Sequence, residues 1–240
     1  MFSQKTNCEA AMNFERIFAY TRALEENNGR TWFHDNHRDY ELAKEDFTLL
    51  VDMLKYEVIK LDTEFSESLL FTEPKALMYR IPRDTRYSKN KEPYNPSFRA
   101  YFSPFKKDFL PFSYYLRIAH DGCRIGTGVW TWLPEQVNTL RSYVARNFEE
   151  LDMIVAEGNL QLSGEKLKRM PRGYEEDHPA GEWLKHKSFF VSYDFKPEDL
   201  ESFEKCAEVS AEVMRRFEPL RRYFTAAFTP VPHDDEFDIY

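Results

Sequence analysis

The chain has 240 residues, 42% of them hydrophobic and 16% aromatic, with a formal net charge of −8. That length and apolar content suffice for one large domain with a packed core. The acidic total argues against a general nucleic-acid binder, which needs a basic excess to meet phosphates.

Phe14, Ile17, Phe18 and Leu24 lie near one helical face and predict a helix over 14–26. Asn27-Asn28-Gly29 ends it, with Gly29 free to take a left-handed conformation. Further helices are expected from about Arg30 to Lys44 and from about Asp46 to Leu61, the second with Phe47, Leu50, Leu54 and Val58 in register. Residues 62–76 read as polar and irregular. Leu77 to Ile81 reads as a short strand, and Pro82, Pro93 and Pro96 forbid a regular helix beyond it. Phe98 to Phe102, Phe112 to Ala119 and Arg124 to Trp132 predict strands, the last two joined by a hairpin turn at Asp121-Gly122. Pro134 suits the first position of a helix running to about Arg146, followed by another to about Glu157. Residues 161–180 form a polar connection, and Lys187 to Phe195 reads as a strand. Pro197-Glu198-Asp199 opens a long helix with acids at its positive end. Strands in the middle and helices at both ends predict one α+β domain over 14–228. Its mostly antiparallel central sheet of roughly five strands is packed by N-terminal and C-terminal helices. Residues 1–13 and 229–240 are expected to be flexible or loosely packed.

No run approaches the ~20 apolar residues that span a bilayer. Met1 to Ala10 lacks the apolar core of a secretory signal. Cys8, Cys123 and Cys206 are widely spaced and read as free thiols of a reducing compartment. The expected setting is a soluble, cytoplasmic protein without a membrane partner, cofactor or resident metal.

The charge is unevenly spread. From Arg80 to Tyr94 stand Arg80, Arg83, Arg86, Lys89 and Lys91 against Asp84 and Glu92, a local +3 that leaves −11 for the rest. Such a segment suits a local anion site better than a long polyanion track. Arginine presents a planar fork that matches carboxylate or phosphate oxygens in pairs. Arg80, Arg83, Arg86 and Lys91 would hold a small anionic ligand bearing phosphate or carboxylate, and Tyr94 would orient it. Asp84 would orient the guanidinium groups or act as a base. A structural ion-pair network pinning the loop, with no ligand, accounts for the same residues.

The run Arg80-x-x-Arg83-Asp84-x-Arg86-Tyr87-x-x-Asn90-Lys91-x-x-Tyr94 resembles the signature of the family catalogued as domain of unknown function 2461. Asn27-Asn28 with Trp32-Phe33 is similar to the family's early helix-turn element. Tyr115, Gly126-Thr127-Gly128 and Arg141 resemble its central hairpin and helix. Leu167-Lys168-Arg169-x-Pro171-x-Gly173-Tyr174, with His178 and Lys187, resembles its later segment. The resemblance covers most of 14–215. It implies one fold unit and favours the Arg80–Tyr94 segment as its site, and it brings no reaction with it.

Gly126-x-Gly128 would let a backbone approach a ligand at Gly128, but without a third glycine or a following helix it reads better as a bulge or close strand packing. Lys166, Lys168, Arg169 and Arg172 form a second basic patch that either joins the first around one anion or is simply solvated. Lys187 either reaches the same site or points to water. His178, after Glu175-Glu176-Asp177, is a second candidate acid or base. His34 and His37 share a helix face without an evident third metal ligand, and His233-Asp234-Asp235-Glu236 reads as an acidic tail. A rival reading is a non-enzymatic interaction module with partner surfaces at Phe102–Tyr115 and Trp130-Thr131-Trp132. Local binding to single-stranded nucleic acid ranks below both.

Overall fold

A computed structural model describes residues 14–61, 63–103, 113–129 and 134–228. Helix α1 spans Phe14–Glu26 and buries Phe14, Ile17, Phe18 and Leu24 as the periodicity requires. Gly29 is extended (φ −131°, ψ 153°) and caps the N-terminus of α2, Arg30–Asp35, so the left-handed conformation open to it gives way to a helix start. Asn36 ends α2, its side chain donating to the Trp32 carbonyl at 2.8 Å. Helix α3 then runs unbroken over His37–Leu61, past the expected break near residue 45. The polar run there is accommodated. Lys44 pairs with Glu41 at 3.1 Å, and the buried Asp46 carboxylate meets Arg16 of α1 at 3.2 Å. The stretch read as irregular contains α4, Thr63–Leu70, which delivers Leu69 to the core, and a 3-10 turn at Pro74–Leu77.

The sheet has four strands rather than roughly five: β1 Phe98–Phe102, β2 Tyr114–Ala119, β3 Gly122–Val129 and β4 Phe189–Phe195. They form an antiparallel meander in the order β1-β2-β3-β4. The expected strand at 77–81 is reduced to one bridge, Met78 to Ala100, and a Tyr79 N–H donated to the Arg99 carbonyl at 2.8 Å. A proline at either end explains this. Pro74 starts the 3-10 turn, and Pro82 has no N–H to extend a ladder. The short piece still covers the free edge of β1.

Helix α5, Pro134–Glu157, is kinked at Asn147 (φ −128°), where two helices were expected to meet. The Asn147 carbonyl accepts from the Tyr223 hydroxyl at 3.0 Å, so the kink is bound to the last helix. A short α6, Gly181–Leu184, precedes β4. Pro197–Asp199 forms a separate 3-10 turn, and α7, Phe203–Ala226, starts afresh with Ser202 accepting from the Lys205 N–H at 3.1 Å.

Strand alternation divides the sheet into two faces. Phe98, Leu116, Ile118, Cys123, Ile125, Phe189 and Val191 face the helices. There Phe98 meets Phe47 of α3 at 5.4 Å, and Phe189 meets Phe224 of α7 at 5.8 Å. Cys123 and Cys206 are free and buried at this interface. Burying this set of large aromatics contributes roughly 1.5–3 kcal/mol per side chain before entropy is counted. Among the described residues no helix is long and apolar enough to cross a membrane. The surfaces expected at 104–112 and 130–132 lie outside the described residues, as do the expected loose termini.

Candidate functional site

The second face of the sheet carries Arg99 and Tyr101 from β1, Tyr115 and Arg117 from β2, Arg124 and Gly126 from β3, and Ser192 and Asp194 from β4. The register sets Arg99 opposite Arg117 and Arg117 opposite Arg124, three guanidinium groups side by side across three strands. Like charges in direct cross-strand register destabilise a sheet, so each needs relief. Arg117 finds it in Asp121, at 2.9 and 3.2 Å. Arg124 finds it in Asp194, at 2.6 and 2.9 Å, and this pairing raises its pKa further.

Arg99 has no such partner. Among the described residues no carboxylate pairs with it, and its Nε is buried without a hydrogen-bond acceptor. Its Nη2 makes a long contact, 3.4 Å, to the Arg80 carbonyl, and its guanidinium lies 5.2 Å from the Tyr79 ring centre. Burial is the main cause holding its pKa below the usual arginine value, and the charges of Arg117 and Arg83 push the same way. Tyr79 and Tyr115 stand beside it. Burial raises both phenols, Tyr79 to about 12, so both are protonated donors near neutral pH.

The Arg80–Tyr94 segment is a loop closed at its base. Pro82 bridges Tyr94, the Arg83 N–H donates to the Pro93 carbonyl at 2.8 Å, and the Asn95 N–H donates to the Ile81 carbonyl at 2.9 Å. Asn28 fixes the base to the α1–α2 turn. Its amide donates to the Tyr94 carbonyl at 3.0 Å and its oxygen accepts from the Tyr94 N–H at 3.1 Å. The Tyr94 ring stacks on Phe33 at 4.1 Å. Tyr94 is thus an anchor of the loop base.

The loop's cations do not converge. Arg86 makes a bidentate pair with Asp84, closest at 2.6 Å, and both are exposed. Its backbone N–H also donates to Asp84, and these contacts hold the Asp84 carboxyl below its usual range. Lys91 donates to the Thr85 carbonyl at 3.0 Å and so caps the loop's own turn. Tyr87 at the tip is 95% exposed. Arg83 is half-buried, with its guanidinium 3.5 Å from the Ser88 hydroxyl and 3.8 Å from Glu92. Arg80 is exposed, and among the described residues no carboxylate pairs with it. Of the five predicted binding residues, Arg80 touches Arg99 through its backbone carbonyl, and Arg83 acts on it only as a nearby like charge.

The other candidates lie apart from it or serve the fold. Gly128 has φ +103°, and an added Cβ would collide with the Phe189 carbonyl. The close strand packing expected of the Gly126-x-Gly128 pair is what the structure has. Lys187 pairs with Glu165 at 2.7 Å, Lys166 pairs with Glu182 at 3.1 Å, and Arg172 is exposed. His178 accepts from the Ala180 N–H at 3.1 Å through Nδ1, which uses that ring nitrogen in a turn. Arg141 donates to the Leu184 and His186 carbonyls and holds α6 in place. His34 and His37 sit beside Asp35 and Glu41, and among the described residues no group of His, Cys, Asp or Glu could hold a metal.

A family model described as "Conserved hypothetical protein (DUF2461)" matches residues 16–223, from α1 into the last turn of α7. The chain belongs to this family. No curated protein and no solved structure matches the chain. The DUF2461 match spans the whole sheet, the closed loop and Arg99, so the candidate site lies within the family's own fold unit.

Proposed function

We propose that this DUF2461 chain binds a small anionic ligand where the base of the Arg80–Tyr94 loop meets the tyrosine-lined face of the sheet. Arg99 is the central contact, Arg83 and Arg80 approach from the loop, and Tyr79 and Tyr115 supply hydroxyl donors. Arg86, Lys91 and Tyr94 keep the loop in shape. One observation carries the reading. Arg99 Nε is buried without an acceptor while the other two arginines of its row each have a carboxylate. An unpaired cation in that position costs stability, and an incoming anion would offset the cost.

Replacement of Arg99 by Met tests this. The variant keeps most of the side-chain volume and removes the charge. Its unliganded stability, measured by urea unfolding, is expected within about 1 kcal/mol of wild type or above it. Stabilisation of the wild type by added sulfate or phosphate should be absent from the variant. A loss of about 3 kcal/mol without ligand would make Arg99 a structural residue instead.

The interaction-module reading has a different observation behind it. Leu49, Tyr56, Leu70 and Phe71 are exposed, Phe71 to 84%, and line a groove of about 650 Å³ between α3 and the α4 end. Exposed apolar groups gathered in one place mark contact surfaces. None of the residues lining this groove belongs to the arginine row, so the two readings are independent.

A further inference from the structure

We infer that the groove between α3 and the end of α4 receives an amphipathic helix with a basic polar face, presented by a partner protein. The inference rests on the contact-surface reading of that groove and names the chemistry of its occupant. Helix α3 carries two apolar stripes. Phe47, Leu50, Leu54 and Val58 enter the core, while Leu49, Met53 and Tyr56 follow at i, i+4 and i+7 and line hollows open to solvent. Leu70 and Phe71 extend this second stripe from the end of α4. Of the seven large apolar side chains that stand exposed among the described residues, four gather here, so they form a patch rather than a scatter. The patch is built on a fixed turn. The Thr72 hydroxyl donates to the Ser68 carbonyl at 2.6 Å, the Thr72 N–H to the Leu69 carbonyl at 3.0 Å, and the Lys55 ammonium to the Thr72 carbonyl at 3.3 Å. A second hollow, of about 360 Å³ between α3 and α7, adjoins the groove at Tyr56, which lines both.

Charge selects the occupant. Asp52, Glu57, Glu73, Glu204 and Glu208 line the two hollows against Lys55 and Lys75, five acids less two bases, or −3. Lys55 is buried and already paired with Asp52 at 3.0 Å. Glu57 and Glu208 meet Lys60 and Lys205 only in exposed pairs, which yield to another cation at little cost. Glu73 and Glu204 have no cationic partner among the described residues. A second copy of the chain would set this acidic lining against itself. The chain's own residues 229–240 would bring Asp234, Asp235, Glu236 and Asp238 into the same field, and residues 1–13, with one lysine and one glutamate, bring no net side-chain charge. A helix with lysines or arginines flanking an apolar stripe matches both the face and its charge.

Fluorescence anisotropy with three labelled helical peptides makes the test. One carries leucines at i, i+3, i+4 and i+7 and lysines on its polar face. The next has glutamates in place of the lysines, and the last has the lysine peptide's residues scrambled around the helix. The lysine peptide should bind the full chain at least about tenfold more tightly than the other two at low ionic strength, and salt should shrink its advantage over the glutamate peptide. Phe71→Ala should weaken its binding at least about tenfold, and Glu57→Gln combined with Glu208→Gln about threefold, with the thermal midpoint unchanged because all three side chains reach solvent. A glutamate peptide bound as tightly as the lysine peptide, with both weakened by Phe71→Ala, would overturn the basic partner and leave the groove a contact surface. A dimer in sedimentation velocity that Phe71→Ala dissociates would do the same in favour of a second copy. Lysine-peptide binding indifferent to scrambling or to Phe71→Ala, or no peptide bound by a monomeric protein, would overturn the groove as a contact surface altogether.

Discussion

Replacement of Gly128 by alanine is expected to destabilise the protein by about 3–5 kcal/mol, from backbone strain and overpacking together. Gly128 sits at φ +103°, outside the region that L residues readily adopt. Its missing side chain is also the space occupied by the Phe189 carbonyl of the neighbouring strand. The β3–β4 pairing must open to admit a methyl group, and that pairing joins the arginine face to Asp194. Gly173→Ala separates the two causes. Gly173 has a similar φ of +96° and nothing within 4 Å of an added Cβ, so only the strain of about 1–3 kcal/mol applies there. Urea unfolding of both variants checks the difference, and equal losses would show that the strand contact contributes nothing.

Asn28→Ala is expected to cost about 2–3 kcal/mol, because two hydrogen bonds to the half-buried Tyr94 backbone are lost and its N–H and C=O are left without partners. The thermal midpoint should fall by roughly 4–10 °C for a domain of this size. The consequence reaches the site. Asn28 holds Tyr94, Tyr94 is bridged to Pro82, and the same closed base positions Arg83. Anion affinity should therefore fall along with stability, although Asn28 touches no proposed ligand. An Asn28→Ala variant that unfolds earlier yet binds sulfate as wild type does would show that the loop base is fixed by other contacts.

The helices were legible because their apolar spacing is regular, as in Phe47, Leu50, Leu54 and Val58 of α3. The kink of α5 was legible as well, as two helices meeting near Arg146. The lost fifth strand was not. Its apolar run, Leu77 to Ile81, looks like any edge strand, and only the placement of Pro74 and Pro82 against β1 reduces it to one bridge. The join between α2 and α3 was misplaced: Asp46, expected to open a helix, lies inside α3, where Arg16 of α1 pairs with its buried carboxylate.

At the site, the sequence drew attention to the loop through its local charge, and most of that charge proves to be spent within the loop, Arg86 on Asp84 and Lys91 on carbonyls. The arginines of the sheet were overlooked because each stands alone in its own strand. The expected turn at Asp121-Gly122 would pair Arg117 with Gly126, so only the hairpin itself was readable; the turn falls one residue earlier, at His120-Asp121, and that shift sets Arg117 against Arg124 and Tyr115 against Gly126. Arg99 could not be placed in that row, since the connection from β1 to β2 fixes no register by itself.

The proposed anion site lies at the loop base around Arg99 and not at the charged loop tip. Titration of phenyl phosphate into Arg99→Met and Arg86→Ala tests it most directly. Arg86 belongs to a solvent-exposed pair within the loop, so Arg86→Ala should bind within about fivefold of wild type. Arg99→Met should show no measurable binding. Binding lost in Arg86→Ala and retained in Arg99→Met would move the site to the loop tip.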